Sequence, residues 1–179
     1  FFTQAGIFEG TFGHGQLPLI YGLAVSSTKV YACSSVDPGA IVEFPITGSD
    51  YLKSFGTPVT VTPTGQASLT AAKQMALDGS GNLYVADPGD YRIVKFSPAL
   101  TFISAVTLVS GTGDAVALDP AGNIFTDANG VQVYSPSGAL LTQFAQGLLL
   151  DEDGIAVDAA DNVYLPDPGS NDVMVFQKN

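Results

Sequence analysis

The chain has 179 residues, of which 46% are hydrophobic and only 13% are charged. Its formal net charge of −11 argues against nucleic acid and anionic membrane surfaces as partners, because both are bound through Lys and Arg. No apolar stretch reaches the roughly 18 residues of a membrane span, so no membrane insertion is predicted. The length of the chain predicts one domain or one array of repeats.

A short apolar segment recurs four times, at residues 22–25, 75–78, 116–119 and 155–158. The alanines of these segments lie 52, 41 and 39 residues apart, and an aromatic residue follows each alanine by seven or eight positions. These aromatic residues are Tyr31, Tyr84, Phe125 and Tyr164. A period of about 40 residues, built from short strands separated by Gly, Pro and Asp, predicts the blades of a β-propeller.

The first predicted strand covers residues 6–13 and resembles the strand predicted over residues 51–56, including its terminal Phe-Gly. Blade 1 begins after residues 6–13 and is predicted to cover about residues 22–56, so that residues 51–56 are its last strand. Residues 57–69 follow as a segment of Val, Thr and Pro that is typical of an extended edge. The N-terminal strand therefore has the character of the outermost strand of a blade.

Blade 2, over about residues 75–109, is the most complete copy. Its inner strand at residues 75–77 is followed by a turn of Asp, Gly, Ser and Asn, which tolerate positive φ and bond their own backbone. Strands at 83–86, 92–96 and 101–109 complete the blade. Residues 71–77 have a weak helical pattern, but their alignment with the other inner strands predicts a strand.

Blade 3, over about residues 115–145, repeats the four strands, whereas blade 4, over about residues 154–179, repeats only three. The strand at residues 6–13 can supply the missing one and close the ring within the chain. It can equally pair with the last blade of a neighbouring molecule, giving an oligomer or filament through the terminal strands. The sequence thus predicts an all-β propeller of four four-stranded blades in which the N-terminal strand completes the last blade, within the chain or in a neighbour.

Residues 76–96 resemble an NHL repeat, and residues 10–18 resemble the glycine-rich stretch that precedes an inner strand in that family. The resemblance covers nearly the whole chain, although blade 1 has Ser26 and Ser34 where blade 2 has Asp78 and Asp87. It implies a propeller, usually of six blades, so that four repeats imply a fragment or an unusual assembly. Such proteins are noncatalytic scaffolds for proteins or binders of RNA, and related propellers are metal-dependent lyases or lactone hydrolases.

The turns after the second strands and the loops before the inner strands converge on one face of a propeller. On this chain that face is predicted to be acidic. Its candidate binding residues are His14, Asp87, Asp90, Asp127, Asp167 and Asp172. Several carboxylates suit a hard cation such as calcium. The simpler interpretation, which we favour, is that these aspartates cap turns and keep the surface solvated, and no cofactor is predicted from them.

Asp78, Asp119 and Asp158 recur at equivalent ends of inner strands and are predicted to form turns. Cys33 is the single cysteine, so no disulfide forms within the chain and a buried, inert thiol is expected. The single histidine, His14, cannot supply the two or three histidines that a metal-dependent lyase would use. No catalytic residue is predicted.

Outer strands such as residues 101–109, together with residues 57–69, are predicted to leave apolar surface exposed, as association surfaces do. The sequence therefore predicts a noncatalytic module that binds a protein partner or copies of itself. Few lysines with much Gly, Ser and Thr favour an extracellular or cell-surface location. One alternative is a fragment of a propeller enzyme of the lyase or lactone hydrolase type; another is a calcium-stabilised adhesion domain.

Overall fold

The computed structural model describes residues 11–36, 38–47, 54–55, 58–148, 154–167 and 169–177. Within these ranges 16 β-strands form four antiparallel sheets, and the helical elements are two single 3-10 turns, Gly65–Ala67 and Pro88–Asp90. None of the described segments is a helix long and apolar enough to cross a membrane. The fold is all-β, as the repeat pattern predicts.

The first sheet contains five strands. They are β1 (Ile20–Val25), β2 (Lys29–Ser34), β3 (Ile41–Thr47), β4 (Ser54–Phe55) and β5 (Val59–Val61). Both β4 and β5 pair with β3, β4 at its C-terminal end and β5 along residues 41–43. The sequence predicted an outer strand over residues 51–56 and a separate extended segment after it. Both segments contain a strand among their described residues, β4 and β5, while residues 51–53, 56 and 57 lie outside the described part of the chain. The seven residues of β3 pair with these two short strands in succession.

The second and third sheets each contain four strands in chain order. Blade 2 consists of β6 (Met75–Leu77), β7 (Leu83–Asp87), β8 (Arg92–Phe96) and β9 (Phe102–Thr107). Blade 3 consists of β10 (Val116–Leu118), β11 (Ile124–Thr126), β12 (Val131–Tyr134) and β13 (Leu140–Phe144). Residues 75–77, where the helical pattern was weak, form a strand because pairing with β7 outweighs local propensity.

The fourth sheet contains β14 (Ala156–Val157), β15 (Val163–Asp167) and β16 (Asp172–Phe176) among the described residues. Of the strand predicted over residues 6–13, residues 6–10 lie outside the described part of the chain, and residues 11–13 are not in a strand. The pairing of that segment with β16, within the chain or between chains, therefore stays a prediction.

The four sheets are the blades of a four-bladed β-propeller, with β1, β6, β10 and β14 as neighbouring inner strands in that order. Because side chains alternate along a strand, each blade has two faces. We name the face that packs on the next blade in chain order the forward face, and the face that packs on the preceding blade the rear face. Three buried apolar clusters between consecutive blades form most of the core.

The aromatic residue of each second strand lies on a forward face. Tyr31 belongs to the cluster between blades 1 and 2, Tyr84 to the cluster between blades 2 and 3, and Phe125 to the cluster between blades 3 and 4. These three side chains are 2%, 2% and 7% exposed. The recurring aromatic residue therefore marks the contacts between blades. These contacts stabilise the fold by burying apolar surface area.

Candidate functional site

The predicted acidic face is built around one position that recurs at the end of each second strand. This position holds Asp87, Asp127 and Asp167 in blades 2, 3 and 4, and Ser34 in blade 1. All four side chains are buried rather than presented to solvent. A buried carboxylate is stable only when charged or hydrogen-bonding partners compensate for its lost hydration, so its partners define its role.

Asp87 ties the loop before blade 2 to the blade itself. Its Oδ1 accepts hydrogen bonds from the backbone amides of Thr70 and Ala71, at 2.9 and 3.0 Å. Its Oδ2 accepts a hydrogen bond from Arg92 Nε at 3.1 Å, and Arg92 also donates to the carbonyl oxygen of Gln66 at 2.9 Å. The carboxylate and the guanidinium together fix the segment that connects blade 1 to blade 2.

The equivalent residues of two other blades hold the connecting loops in a similar way. Asp127 Oδ1 accepts a hydrogen bond from the amide of Ala115 at 2.7 Å. In blade 1, Ser34 donates from Oγ to the carbonyl oxygen of Pro18 at 2.6 Å. Asp167 differs, since its Oδ1 accepts from Gly169 N at 3.1 Å, within its own turn. These contacts give the recurring position a role in loop attachment.

The other predicted site residues are more exposed. His14 lies on the surface in the turn that follows Gly13, and Asp172 is exposed at the start of β16. Asp90 is partly exposed and accepts hydrogen bonds from Thr70 Oγ1 and Arg92 Nη2, each at 3.0 Å. Across the described ranges, no three His, Cys, Asp or Glu side chains lie close enough to hold a metal ion. That these residues bind a ligand stays a prediction.

Asp78, Asp119 and Asp158 are turn formers, as predicted. In each turn the Oδ1 atom accepts a hydrogen bond from the backbone amide of the asparagine four residues on, at 2.8 to 2.9 Å. The side-chain amide of the same asparagine donates to Oδ2, at 2.6 to 2.8 Å. These asparagines are Asn82, Asn123 and Asn162. The Asp-Asn pairing, four residues apart, was a sequence signal that reasoning from the aspartates alone missed.

The turns make stability depend on acidity. Burial opposes ionisation of Asp78, but hydrogen bonds from Asn82 and Ser80 and the charge of Lys95 outweigh it and lower the pKa of its carboxyl. The side-chain and backbone donors of Asn162 lower the pKa of Asp158. A folded-state pKa below the unfolded value contributes stability above the unfolded value, about pH 4, that is lost as the pH falls through the folded value.

We therefore expect the urea midpoint of the chain to fall on acidification below about pH 4, and to fall less steeply in the Asp158→Asn variant. The comparison is made by urea titrations at several pH values. Ala159→Ser is the control, because it changes an exposed residue of the same turn without adding a titrating group. An unchanged pH slope in Asp158→Asn would show that this carboxylate does not stabilise the turn.

Cys33 is buried and unpaired with any other cysteine, as predicted. Its Sγ donates to the carbonyl oxygen of Lys73 at 2.8 Å, so it links blade 1 to the loop before β6. Burial raises the pKa of the Cys33 thiol to about 12. The nucleophilic thiolate is therefore scarce at neutral pH, which is consistent with a structural role.

The forward face of blade 4 has no partner blade among the described residues. Ala156, Tyr164 and Val175 lie in register across its three strands, as Ala117, Phe125 and Val133 do in blade 3. The blade 3 set packs against blade 4. In contrast, Val173 and Val175 are 64% and 51% exposed. The fourth copy of an interblade surface is thus open to solvent.

The inner part of the rear face of blade 1 is exposed as well. Leu23 and Val25 are 60% and 64% exposed, whereas Met75 at the matching register of blade 2 is 7% exposed. The outer part of the same face is covered, because Phe12 and Leu17 pack on Val30, Ala32, Val42 and Phe44. We name Leu23 and Val25 together with Ala156, Tyr164, Val173 and Val175 the seam residues, since they lie on the faces of the first and fourth blades that are outside the three interblade clusters.

A cleft of about 460 Å³ opens between blades 3 and 4. Its apolar wall includes Phe125 and Val133 of blade 3 and Val163 and Phe176 of blade 4, and Asp119 is among the polar residues that line it. Between blades 1 and 2, Phe102 of the outer strand β9 packs against the corresponding cluster. In the described part of blade 4, no strand lies beyond β16. An outer strand there, equivalent to β9 of blade 2, would place a side chain in the cleft as β9 places Phe102 against its cluster.

The chain is therefore a β-propeller with buried loop-fixing carboxylates and with exposed apolar residues on its first and fourth blades. No protein-family model matches it, and comparison with curated proteins gives no match. Similar solved structures include a chain of the nidogen/laminin complex, with a TM-score of 0.71 and 20% identity over 88% of this chain and 60% of that one. A streptogramin B lyase has a TM-score of 0.64 and 13% identity, over 89% of this chain and 54% of that one.

A proposed 6-phosphogluconolactonase from Bacteroides uniformis has a TM-score of 0.68 and 14% identity, over 89% of this chain and 50% of that one. The chain thus spans between half and three-fifths of the length of these three structures. At such identities the similarity establishes the fold alone. Propellers of this kind include both enzymes and protein-interaction domains, and the fold does not decide between them.

Proposed function

We propose that this propeller is a noncatalytic interaction module that binds a protein partner through the apolar faces of its terminal blades. The observation that carries the proposal is the exposure of Leu23 and Val25 on blade 1 and of Val173 and Val175 on blade 4. On an acidic surface, neighbouring apolar side chains that remain exposed to water mark association sites. The buried centre of a protein interface is more apolar than the rest of a protein surface, so these apolar side chains suit such a position.

The state of the predicted site residues supports the same proposal. Asp87 and Asp127 use their carboxylates to hold backbone amides of the connecting loops, and Asp167 uses its own to hold a turn. These groups stabilise the scaffold, and a scaffold with fixed loops presents its surfaces in one arrangement. The repeat pattern of residues 76–96 supports an NHL-like scaffold, and the low lysine content supports an extracellular or cell-surface location.

The rival proposal is that the chain is part of a propeller enzyme of the lyase or lactone hydrolase type, and one of the similar structures is a streptogramin B lyase. A third is a calcium-stabilised adhesion domain that uses the acidic turns. Both rivals require a metal ion for activity or stability. The interaction module requires a polypeptide in contact with the seam residues.

The test is site-specific photocrosslinking in the native source. A photoreactive amino acid at Leu23 is expected to crosslink to a polypeptide, and the crosslink is expected to disappear when Val25→Asp is added, because a buried, unpaired charge costs several kcal/mol. The matched control position is Ile103, which is exposed on the outer strand β9 of blade 2. It is expected to give no such crosslink.

Absence of any polypeptide crosslink at Leu23 would contradict the interaction function. A stoichiometric metal ion in the native protein, lost together with substrate turnover in His14→Ala, would favour the enzyme. A melting temperature that falls by many degrees with chelator, without turnover, would favour the calcium-stabilised domain.

A further inference from the structure

We propose that Asn129, in the turn between β11 and β12 of blade 3, is a site of spontaneous deamidation, and that its product loosens the segments that connect blade 3 to its neighbours. The chain contains six asparagines, and Asn129 is the one that is followed by glycine. The modification needs no enzyme and no cofactor, because its only co-reactant is water.

The reaction begins when the main-chain nitrogen of Gly130 attacks the side-chain amide carbon of Asn129. The bond from Gly130 N to Asn129 Cγ forms, the bond from Cγ to the side-chain nitrogen breaks, and ammonia leaves with the proton from the Gly130 amide. Water then opens the resulting succinimide at either carbonyl and gives aspartate or isoaspartate. Glycine favours this attack because it has no Cβ atom and its backbone rotates most freely.

The fold presents Asn129 in a suitable place. This residue is exposed, so water reaches the ring that forms there. Asn129 and Gly130 both have positive φ, at 55° and 86°, and they lie beyond the last residue pair of the β11–β12 ladder, Thr126 with Gln132. The reacting peptide unit is therefore outside the ladder that holds these two strands together.

Three other asparagines are protected by two features. Their side-chain amides donate to the Oδ2 atoms of turn aspartates at 2.6 to 2.8 Å, which fixes the group that would be attacked. A branched apolar residue follows each of them and hinders the approach of the main-chain nitrogen. These three residues are Asn82, Asn123 and Asn162.

Asn171 is the matched comparison within the chain. It lies in the equivalent turn of blade 4, between β15 and β16, and it is exposed with a φ of 58°. Asn171 is followed by Asp172 instead of glycine. Comparing Asn129 with Asn171 therefore tests the effect of the following residue at similar exposure and similar φ.

The turn that contains Asn129 is packed closely against two connecting segments. A Cβ atom on Gly111, in the segment before blade 3, would lie 2.7 Å from Asn129 N. A Cβ atom on Gly130 would lie 2.6 Å from the carbonyl oxygen of Phe144 and 2.7 Å from Gln146 N, where the segment to blade 4 begins. Isoaspartate adds one carbon atom to the main chain, and the backbone on both sides leaves little room for it.

Gln132 ties the same turn to the segment before blade 3. Its Nε2 atom donates to the carbonyl oxygen of Ala128 at 2.7 Å and to that of Ser110 at 2.6 Å. The Gln132 side chain is buried. Lengthening the backbone next to Ala128 displaces this carbonyl, and a buried polar group that loses a partner costs stability.

The experiment ages the purified chain slightly above neutral pH in water enriched in heavy oxygen, and then maps its peptides with a fragmentation method that distinguishes isoaspartate from aspartate. Ring opening in the folded chain incorporates heavy oxygen, whereas deamidation during later digestion in ordinary water does not. We expect labelled product at Asn129 to form about tenfold or more faster than at Asn171, because the following glycine lacks a Cβ atom. Asn82, Asn123 and Asn162 are expected to stay unmodified.

The Asn129→Gly variant tests the structural effect. It removes the reacting side chain and keeps a residue that tolerates positive φ. Both chains are compared by urea titration before and after ageing, and circular dichroism shows that the variant is folded at the start. The urea midpoint of the unchanged chain is expected to fall in proportion to the isoaspartate formed, whereas that of Asn129→Gly is expected to stay constant.

The absence of labelled product at Asn129 would overturn the inference, as would equal rates at Asn129 and Asn171. Product without heavy oxygen would also overturn it, because the folded turn would then protect the amide. Labelled isoaspartate with an unchanged urea midpoint would establish the modification site and overturn its effect on the connecting segments.

Discussion

Replacing Asp87 with alanine is expected to destabilise the propeller by about 3–5 kcal/mol, the usual cost of removing one partner of a buried ion pair. The Asp87 side chain is fully buried, and its loss leaves the amides of Thr70 and Ala71 without their acceptor. It also removes the carboxylate that lies 3.1 Å from Nε of the partly buried Arg92 guanidinium. The loss is measured as the change in unfolding free energy from urea titrations.

Asp90→Ala is the matched control, because Asp90 belongs to the same turn and also pairs with Arg92, but is 42% exposed. Exposed ion pairs contribute about 1 kcal/mol or less, so this variant is expected to remain close to the unchanged chain. Equal losses in the two variants would show that the buried carboxylate does not anchor the connecting loop. A large loss in Asp87→Ala alone would establish its structural role.

Replacing Gly22 with alanine is expected to cost about 3 kcal/mol, at the upper end of what overpacking usually costs. A Cβ atom on Gly22 would lie 2.0 Å from the carbonyl oxygen of Lys73 and 2.9 Å from Cys33 Sγ. Because the closer neighbour is backbone, the clash is relieved only by moving blade 1 away from the loop before blade 2. Urea titration gives the loss of stability.

The separation of blade 1 from the loop before blade 2 in Gly22→Ala also has a chemical readout. The Cys33 thiol is expected to react faster with a disulfide reagent in Gly22→Ala, since the displaced loop no longer covers it. Gly79→Ala is the control, because a Cβ there would meet nothing within 4 Å. If Gly22→Ala kept the stability and thiol protection of Gly79→Ala, the close approach of β1 to Lys73 would not be required by the fold.

The blade repeat could be read from sequence because its signal is local. Alanine on the inner strand and an aromatic residue seven or eight positions later mark two strands that pair directly, as Ala76 and Tyr84 do. The turn between them is fixed by hydrogen bonds within five residues, from Asp78 to Asn82. Strand type, turn position and blade order all follow from interactions of short sequence separation.

The roles of the recurring carboxylates could not be read in the same way. Asp87 precedes Pro and Gly in sequence, a context that suggests an exposed turn residue, but its partners Thr70 and Ala71 lie 17 and 16 residues away. The burial of Asp127 likewise depends on the loop that brings Ala115 to it. The attachment of Val59–Val61 to β3 depends on which part of that strand remained free.

The seam residues show the same division. Leu23 and Tyr164 occupy ordinary repeat positions, and the sequence does not distinguish them from Met75 or Tyr84, which are buried. The sequence alone determined the all-β class, the four repeats and the turns, because each depends on side-chain alternation and hydrogen bonds between near neighbours. The tertiary structure decided which repeat surfaces are covered and which carboxylates are buried, because burial depends on blades that are distant in the chain.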